Sequence, residues 1–312
     1  MDVIDRIKNI FVKDEIGEPP WEYDFLYNLP ESEYPKYLKK IFKYRTGEDL
    51  PLKREHGQLV IDKNKCKTFN QKIQWLKLYD ATQLKRDCTD KVKVRDYVAE
   101  KIGTEYLKPV LQICDSYDEI NFDELPDAFV MKCNHGSKWM YVIKNKQEFL
   151  QNKRKFNIVK QDITGWLEQE FWTWNGFEMQ YKGILPKIII ESFLADEKNE
   201  PCSEIYVYCI NGKPKFSLKI HNLNEVSVYD EKLNITKNLL CTKERFLDEK
   251  PDEILMQSYK LSEKLLTTLN FNFVRIDWVI YKKHLFFCEM TFTPYSGFSN
   301  LFTKYPKELM FE

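Results

Sequence analysis

The spacing of apolar residues changes along the chain, from a helical period near the start to strand alternation later. Apolar side chains recur every three or four residues over Glu31–Tyr44 and Thr68–Tyr79, which predicts two amphipathic helices. The second begins at a threonine, a residue type that caps helix N-termini. A third helix is predicted over Asp90–Lys101, with Gly103 just past its end. Residues 1–30 are acidic, aromatic and proline-containing, and we expect an irregular arm there.

From residue 128 onward, short apolar runs alternate with turn residues, which is typical of strands and hairpins. Asn211-Gly212 and Lys282-Lys283 each separate two such runs and predict tight turns, and a helical spacing returns over Asp252–Leu269. The predicted strands are Ala128–Asn134, Trp139–Lys144, Lys187–Leu194, Glu204–Ile210, Pro214–His221, Phe273–Tyr281 and His284–Phe292. This order indicates an α+β fold rather than a doubly wound one. Neither a GxGxxG nor a Walker A sequence occurs, so those nucleotide-binding folds have no support.

The composition excludes several classes of protein. The chain has 312 residues with 48 basic and 48 acidic side chains, and this zero net charge disfavours a dedicated nucleic-acid binder. Hydrophobic residues make up 43% and aromatic residues 15%, enough for a sizeable core, so a disordered chain is excluded. The length fits two domains or one composite enzyme fold, at about 150 residues for each domain.

The cysteines and the apolar runs bear on where the protein works. The 8 cysteines are scattered without a CxxC pair, so we expect reduced thiols and no zinc site. Residues 1–6 carry acids and lack the apolar core of a signal peptide, and no apolar run approaches the ~18–20 residues of a membrane span. We therefore expect a cytoplasmic protein without a transmembrane segment.

The predicted hairpin at Lys282-Lys283 carries the most informative polar residues. Strand alternation puts Arg275 and Asp277 on one face of its first strand, and Glu289 and Thr291 on one face of its second. The position of the turn brings Asp277 close to opposite Glu289. Adjacent carboxylates in apolar strands repel each other unless a cation lies between them, and such oxygen ligands suit Mg²⁺ or Mn²⁺. The alternative is a solvated strand face with ordinary polar alternation.

A second candidate feature is Lys132, which lies in an apolar strand just before Asn134-His135-Gly136-Ser137. A lysine at this place can bind a phosphate while the N–H groups of a small loop bind another. His135 is a candidate donor to phosphate or substrate. The alternatives are a lysine on an edge strand that points outward, and a histidine that is structural or faces solvent.

A third feature is Glu191, near the end of the β-branched run Lys187–Leu194. A strand that ends in this way can present backbone N–H and C=O groups to the edge of an adenine. The alternative is a buried strand that ends at the surface. A weaker group lies on the Asn211-Gly212 hairpin and consists of Glu204, Lys219 and His221. The default interpretation of this group is a solvent-exposed strand face with ordinary alternation of polar and apolar residues.

In their order along the chain, these pieces resemble an ATP-grasp fold. In that fold a lysine-bearing strand and a small glycine loop precede an adenine hinge, a hairpin and an acidic metal-binding hairpin. More specifically, residues 34–297 resemble the TupA-like ATP-grasp family, which is found among bacterial capsule, teichuronopeptide and lipopolysaccharide genes. The stretches that carry the resemblance are 68–80, 90–103, 125–137, 186–194, 211–214 and 275–297.

The resemblance implies two α+β lobes that sandwich ATP, after a mostly helical N-terminal region, with expected boundaries of 1–84, 85–185 and 186–312. It also implies roles for individual residues. Lys91 and Lys132 would bind ATP phosphates. The remaining roles form four sets. The flap would be Asn134, His135, Gly136 and Ser137, and the adenine hinge would be Glu191, Ser192, Phe193 and Leu194, with Glu204 on the next strand as a further ATP-binding residue. The site for Mg²⁺ or Mn²⁺ would be Asp277, Glu289 and Thr291, and the cations beside an acyl phosphate would be Arg275 and Lys219.

Two positions depart from the pattern of these families. Tyr206 stands where the family usually has a lysine, so any phosphate or acceptor contact of that lysine is missing. Thr291 replaces the asparagine of the wider superfamily, although a hydroxyl group can still ligate Mg²⁺.

The resemblance implies an ATP-dependent, ADP-forming carboxylate–amine ligase of bacterial surface polysaccharide biosynthesis. It would join an amino acid or amine to a sugar or uronic acid through an acyl phosphate, and it could contact the polysaccharide assembly machinery peripherally. The alternatives are a kinase of a sugar or amino acid, a glycosyltransferase, and a degenerate binding module. A glycosyltransferase is disfavoured because no D-x-D accompanies a Rossmann-like half. The aromatic residues of Trp166–Tyr181 would either stack on sugars or pack between the lobes.

Overall fold

A computed structural model of the protein describes residues 28–174, 176–195, 201–222, 224–237, 245–267, 269 and 271–299, and the structural statements below concern these residues. Most of the irregular arm expected over residues 1–30 lies outside them. The helices are α1 (Tyr34–Thr46), α2 (Phe69–Tyr79), α3 (Gln83–Thr89), α4 (Val94–Ile102), α5 (Lys146–Gln151), α6 (Lys153–Leu167) and α7 (Glu253–Leu266). The strands are β1 (Leu52–Glu55), β2 (Gln58–Ile61), β3 (Val110–Cys114), β4 (Phe129–Cys133), β5 (Met140–Ile143), β6 (Ile188–Ser192), β7 (Glu204–Ile210), β8 (Lys213–Asn222), β9 (Glu225–Asp230), β10 (Arg245–Phe246), β11 (Phe273–Tyr281) and β12 (His284–Thr291). The predicted α+β class is confirmed.

The first two predicted helices are present, with the end signals that the sequence carries. α1 ends at Gly47, whose φ of 72° is the left-handed conformation common at helix C-termini. α2 begins with a capping box, in which the Thr68 side chain accepts from the Gln71 N–H and the Gln71 side chain accepts from the Thr68 N–H. Its buried face, which includes Phe69 and Ile73, packs on one face of a large sheet. α2 therefore covers part of the face that carries the candidate site.

The third helix starts later than predicted, at Val94 instead of Asp90. The Asp90 carboxylate accepts from the N–H groups of Val92 and Lys93, at 2.9 and 3.4 Å, and so holds a turn ahead of the helix. Short acidic side chains favour such turns because they compete with the backbone for its N–H groups. Gly103, with φ of 112°, ends the helix as predicted.

The larger sheet has six strands in the order β10-β9-β8-β7-β11-β12, and only the β10–β9 pair is parallel. One face packs against α7 and α4, with Leu255 and Leu265 fully buried in that layer. Burial of each such leucine contributes about 1.5–3 kcal/mol before conformational entropy is counted. The opposite face packs on α2 near β8 and carries the polar residues of β11 and β12. Both predicted hairpin turns are present, since Asn211, Gly212, Lys282 and Lys283 all have positive φ.

The smaller sheet has four antiparallel strands in the order β3-β6-β4-β5. Its core is closed by side chains of α5 and α6, among them Phe149 and Ile163. The two sheets meet just before β3, where Leu107 forms a parallel bridge with Phe287 of β12. This contact brings the polar face of β11 and β12 toward the lysine-bearing strand β4.

Two further expectations concern cysteines and membranes. All seven cysteines in the described part of the chain have free thiols, as predicted, and Cys241 lies outside it. None of the helices in the described ranges combines the length and the apolar character that membrane crossing requires.

Candidate active site

The acidic pair of the last hairpin has the predicted register, with Asp277 directly opposite Glu289. A bulge follows, because Trp278 pairs with Phe287 and leaves Cys288 as an extra residue on β12. The Thr291 hydroxyl donates a 2.9 Å hydrogen bond to Glu289 Oε1. Two carboxylates and a hydroxyl thus lie together on one sheet face, as the sequence predicts.

Arg275 occupies the same face and is bound tightly to Asp277. Its Nε and one terminal nitrogen donate to the two carboxylate oxygens of Asp277, at 2.6 and 2.5 Å. The guanidinium also lies 3.8 Å from Glu289 and stacks on the Tyr206 ring, 4.4 Å from its centroid. Burial raises the pKa of Asp277 to about 7, Glu289 and Glu204 act in the same direction, and Arg275 opposes them. The pKa of Asp277 is therefore raised even though a guanidinium is bound to it.

Glu204 and Tyr206 of β7 extend this acidic surface. Tyr206 pairs with Asp277 across the sheet, and its hydroxyl donates a 2.5 Å hydrogen bond to Glu204 Oε2. Burial raises the pKa of Glu204, while the Tyr206 hydrogen bond and the charge of Lys108 act against it. We use the name acidic wall for Glu204, Asp277 and Glu289 together with Arg275.

The smaller sheet faces this wall with a cluster of opposite sign. Glu191 on β6 is surrounded by Lys132 at 2.7 Å, Lys108 at 3.3 Å and Arg95 at 3.8 Å. Burial alone would raise the pKa of Glu191, but the three cations lower it to about 2. Lys132 is buried within the sheet, so the alternative of an outward-pointing edge lysine is wrong. We use the name cationic wall for Arg95, Lys108 and Lys132 around Glu191.

Lys108 links the cationic wall to β12, the strand that carries Glu289 of the acidic wall. The Lys108 ammonium lies 3.5 Å from Cys288 Sγ, next to Glu289. Burial would raise the pKa of Glu289, but Lys91, Arg275, Thr291 and Lys132 hold it below its usual range. Three cations around Glu191 thus lie on one side of the junction between the sheets. On the other side are Asp277 and Glu289, which share the Arg275 guanidinium, and Glu204. This junction, which we call the cleft, therefore carries positive charge on one side and negative charge on the other.

The side chains of the predicted flap residues Asn134 and His135 form hydrogen bonds within the protein. Asn134 is fully buried, and its amide donates to Asp90 and to the Leu185 carbonyl while its oxygen accepts from the Lys187 N–H. The ring nitrogens of His135 lie 3.2 Å from Asn134 Oδ1 and 3.0 Å from the Trp166 carbonyl oxygen, and burial lowers the pKa of the imidazole. The expectation that these two side chains contact phosphate is therefore corrected: they fix the loop.

The rest of the loop is joined to the first predicted lysine. Lys91 Nζ donates to the Gly136 carbonyl at 2.6 Å, and Ser137 is half-buried beside it. The ring of Trp139 covers Gly136 so closely that a Cβ atom there would lie 2.3 Å from the ring. Lys91 and the loop are thus brought together from distant parts of the sequence, as expected.

The predicted adenine segment follows Glu191 at the end of β6. Ser192 donates its N–H to the Pro109 carbonyl, so it is tied to the segment before β3. Phe193 and Leu194 are half-buried beyond the last strand residue, and the Lys144 ammonium lies 5.9 Å from the Phe193 ring. Residues 196–200 lie outside the described part of the chain.

Lys219 lies on the wrong side of the larger sheet for its predicted role. The β7–β8 register pairs Lys219 with Ile205, whereas Leu218 pairs with Tyr206. Because alternate residues point to opposite faces, Lys219 faces away from the acidic wall. Its ammonium is bound by Asp252 at 2.7 Å and Glu249 at 3.1 Å, near the start of α7. Its assignment as a cation beside Arg275 is therefore corrected.

The aromatic segment Trp166–Tyr181 mainly packs inside the protein. Trp172 and Phe177 are buried, and Phe177 stacks on Tyr34 of α1 with ring centroids 4.1 Å apart. Trp174 is the more open member, with 39% of its surface exposed, and packs edge-on against Trp139. Trp172 and Phe177 therefore pack against the N-terminal helical region rather than between the lobes, and they are not available to stack on a sugar.

The family comparison agrees with this arrangement. The sequence model described as TupA-like ATPgrasp matches residues 71–310, which is most of the chain. The chain belongs to the TupA-like ATP-grasp family. The family resemblance and the ATP-grasp fold predicted from the sequence are thereby confirmed. Comparison with curated proteins gives no match.

Solved structures similar to this TupA-like ATP-grasp protein are distant in sequence. A D-alanine–D-alanine ligase from Bacillus anthracis complexed with ATP has 15% identity and a TM-score of 0.37, over 65% of this chain and 53% of that ligase. An L-amino acid ligase from Bacillus licheniformis has 12% identity and a TM-score of 0.38, over 71% of this chain and 47% of that one. D-cycloserine synthetase DcsG has 13% identity and a TM-score of 0.39, over 72% and 68%. The chain spans about half the length of two D-alanine–D-alanine ligase structures that it matches, 53% and 56%. TM-scores this low do not indicate a shared activity.

Sequence reasoning missed two residues of the cationic wall, Lys108 and Arg95. Arg95 lies four residues after Lys91, so helical spacing could have suggested that both face one side. Lys108 carried no comparable signal, because it reaches Glu191 only through the pairing of β3 with β6.

Proposed function

We propose that the protein is an ATP-dependent, ADP-forming carboxylate–amine ligase. The observation that carries the proposal is the opposition of the cationic wall and the acidic wall across one cleft. A nucleoside triphosphate with its metal has the matching polarity, since its phosphates are negative and its metal binds carboxylates. Phosphoryl transfer needs mainly positioning and charge neutralisation, and needs no protein nucleophile.

The acidic wall suits Mg²⁺ or Mn²⁺. Within the described residues no group of three or more His, Cys, Asp or Glu side chains forms a dedicated metal cage. Mg²⁺ is usually bound by one or two carboxylates, with phosphate oxygens and water as the other ligands. Asp277, Glu289 and the Thr291 hydroxyl offer oxygen donors of this kind, and each carboxylate oxygen keeps a lone pair beside its present partner. The bound metal would neutralise charge on the phosphates.

The cationic side of the cleft suits the phosphates. Lys91 and Lys132 would bind their oxygens, and the Gly136–Ser137 backbone would lie over them. The half-buried end of β6, Glu191 to Leu194, would contact the adenine. The lobe boundaries that we propose are those expected from the sequence, 85–185 and 186–312, after the helical region 1–84.

The reaction that we propose has two steps. A substrate carboxylate oxygen attacks the γ-phosphorus, ADP leaves, and an acyl phosphate forms. An amine then attacks the carbonyl carbon, phosphate leaves, and an amide results. Arg275 is the candidate group to stabilise negative charge beside the reacting carboxylate, because it lies on the same face as Asp277 and is buried.

The substrate class rests on the family resemblance alone. We propose that a sugar or uronic acid and an amino acid or amine are joined during bacterial surface polysaccharide biosynthesis, in the cytoplasm, where ATP is available. Peripheral contact with the assembly machinery belongs to the same proposal.

The test is to incubate the protein with ATP, Mg²⁺ and pairs of carboxylates and amines, one carboxylate labelled with ¹⁸O. ADP formation that needs both substrates, with ¹⁸O transferred to the released phosphate, supports the ligase. ADP formation with a stable phosphorylated hydroxyl would indicate a kinase, and AMP formation would contradict both. Glu289→Gln should remove activity, and Lys219→Met, on the other face of the sheet, is the control that should keep it.

A further inference from the structure

Lys108 lies where the two sheets meet. The residue before it, Leu107, forms a bridge with Phe287 of β12, and the residue after it accepts the Ser192 N–H of β6 at 3.0 Å. Its ammonium therefore lies between the walls, 3.3 Å from Glu191 Oε2 and 3.5 Å from Cys288 Sγ. Only 13% of its side chain is exposed.

The contacts of Lys108 are shared or weak. Glu191 lies within ion-pair distance of it, but Glu191 is already bound by Lys132 at the shorter distance of 2.7 Å and approached by Arg95. Cys288 offers a thiol sulfur, which is a weak hydrogen-bond acceptor. The charge of Lys108 also acts on Glu204, but within the described residues no carboxylate of the acidic wall lies at ion-pair distance from it. The ammonium, which has three N–H donors, can therefore bind a closer anionic partner.

We infer that Lys108 is a third phosphate-binding lysine of the nucleotide site, beside Lys91 and Lys132. The inference rests on the proposed function. A phosphate oxygen is a charged, strong acceptor, and it would replace the Cys288 sulfur as the partner of the Lys108 ammonium. Since Lys108 contacts Glu191 of the smaller sheet and Cys288 of the larger one, a nucleotide held by it would also be held at the junction of the two sheets.

The alternative is that Lys108 only orients Glu191 for contact with the adenine. The two roles predict different effects of the lysine on the affinities for a nucleotide and for a nucleoside. A phosphate-binding lysine matters for a nucleotide and not for a nucleoside, whereas a lysine that positions Glu191 matters for both.

The experiment is calorimetric titration of the full chain with AMPPNP plus Mg²⁺ and, separately, with adenosine. Lys108→Met should weaken AMPPNP binding by about 10- to 100-fold, the usual cost of a lost charged hydrogen bond, and change adenosine affinity by less than about threefold. Lys108→Arg should restore most of the AMPPNP affinity. Lys36→Met is the control that removes a lysine elsewhere, at a side chain exposed on α1.

The outcomes separate the two proposals. Equal weakening of AMPPNP and adenosine by Lys108→Met, or no weakening of either, would overturn the phosphate role of Lys108 and leave the proposed function standing. A wild-type protein that binds neither ligand would overturn the proposed function and this inference with it. Thermal unfolding of each folded variant, with and without AMPPNP, provides a second readout, because bound nucleotide should raise the midpoint less in Lys108→Met than in the control.

Discussion

Asp277 and Glu289 face each other in the same hairpin, yet their neutral variants should differ sharply in stability. Asp277→Asn removes the charge that holds the buried Arg275 through two short hydrogen bonds. Glu289→Gln keeps an acceptor for the Thr291 hydroxyl, and the Glu289 side chain is 32% exposed. If both residues bind metal, both variants should lose ATP turnover, but only the first should unfold more easily.

The structure sets the expected size of this difference. Removal of one partner from a buried ion pair leaves the other charge uncompensated and costs about 3–5 kcal/mol. Arg275 lies 3.8 Å from Glu289, beyond hydrogen-bond distance, so Glu289→Gln should cost about 0–1 kcal/mol. At about 2–4 °C for each kcal/mol, the Asp277→Asn midpoint should fall by roughly 6–20 °C.

The assay is thermal and urea unfolding at pH 8, above the pKa of the Asp277 carboxyl, which burial raises to about 7. The burial cost of the ionised carboxylate acts against the predicted loss, so Asp277→Asn destabilises the fold only if the unpaired Arg275 guanidinium costs more than the buried carboxylate did. Arg275→Met added to Asp277→Asn should recover part of the loss, because no unpaired guanidinium remains buried. Equal stability of Asp277→Asn and Glu289→Gln would refute the view that Arg275 depends on Asp277.

Three other predictions follow from the contacts of the site. Glu191→Gln should be less stable than wild type at pH 7, and this difference in the free energy of unfolding should shrink from about pH 5 down to pH 2. The reason is that a carboxylate with a lowered pKa stabilises the fold above its unfolded pKa and loses that effect as the pH falls, which acid unfolding curves measure. Gly136→Ala should lower stability by about 1–3 kcal/mol and change the near-UV circular dichroism of Trp139. The control Gly165→Ala lies in open space on α6 and should stabilise the protein by about 0.5–1 kcal/mol, so similar effects of the two variants would contradict the close contact of Gly136 with Trp139. Lys219→Met should lower stability by about 1–2 kcal/mol with unchanged nucleotide affinity, and a large loss of affinity would contradict the assigned sheet face.

The sequence by itself determined the features that depend on local spacing. The turn at Lys282-Lys283 sets the register of the hairpin as far as Trp278 and so brings Asp277 to within one residue of Glu289. The bulge at Cys288, which the turn does not predict, then shifts the pairing by one residue and places the two carboxylates directly opposite each other. The capping threonine of α2 and the glycine after α4 likewise act through bonds within a few residues.

Only the tertiary structure decided which distant groups share the cleft. Lys108 and Arg95 reach Glu191 because β3 pairs with β6 and α4 packs nearby, contacts between segments about 80–100 residues apart that no local pattern encodes. Lys219 shares a hairpin with Tyr206, yet the register turns it to the opposite face, where Asp252 and Glu249 bind it. Asn134 looked like part of a phosphate loop, but its amide is used by the fold, because it binds Asp90 and the segment 185–187. Spacing along the chain sets the direction of a side chain, whereas its partner depends on which segments burial brings together.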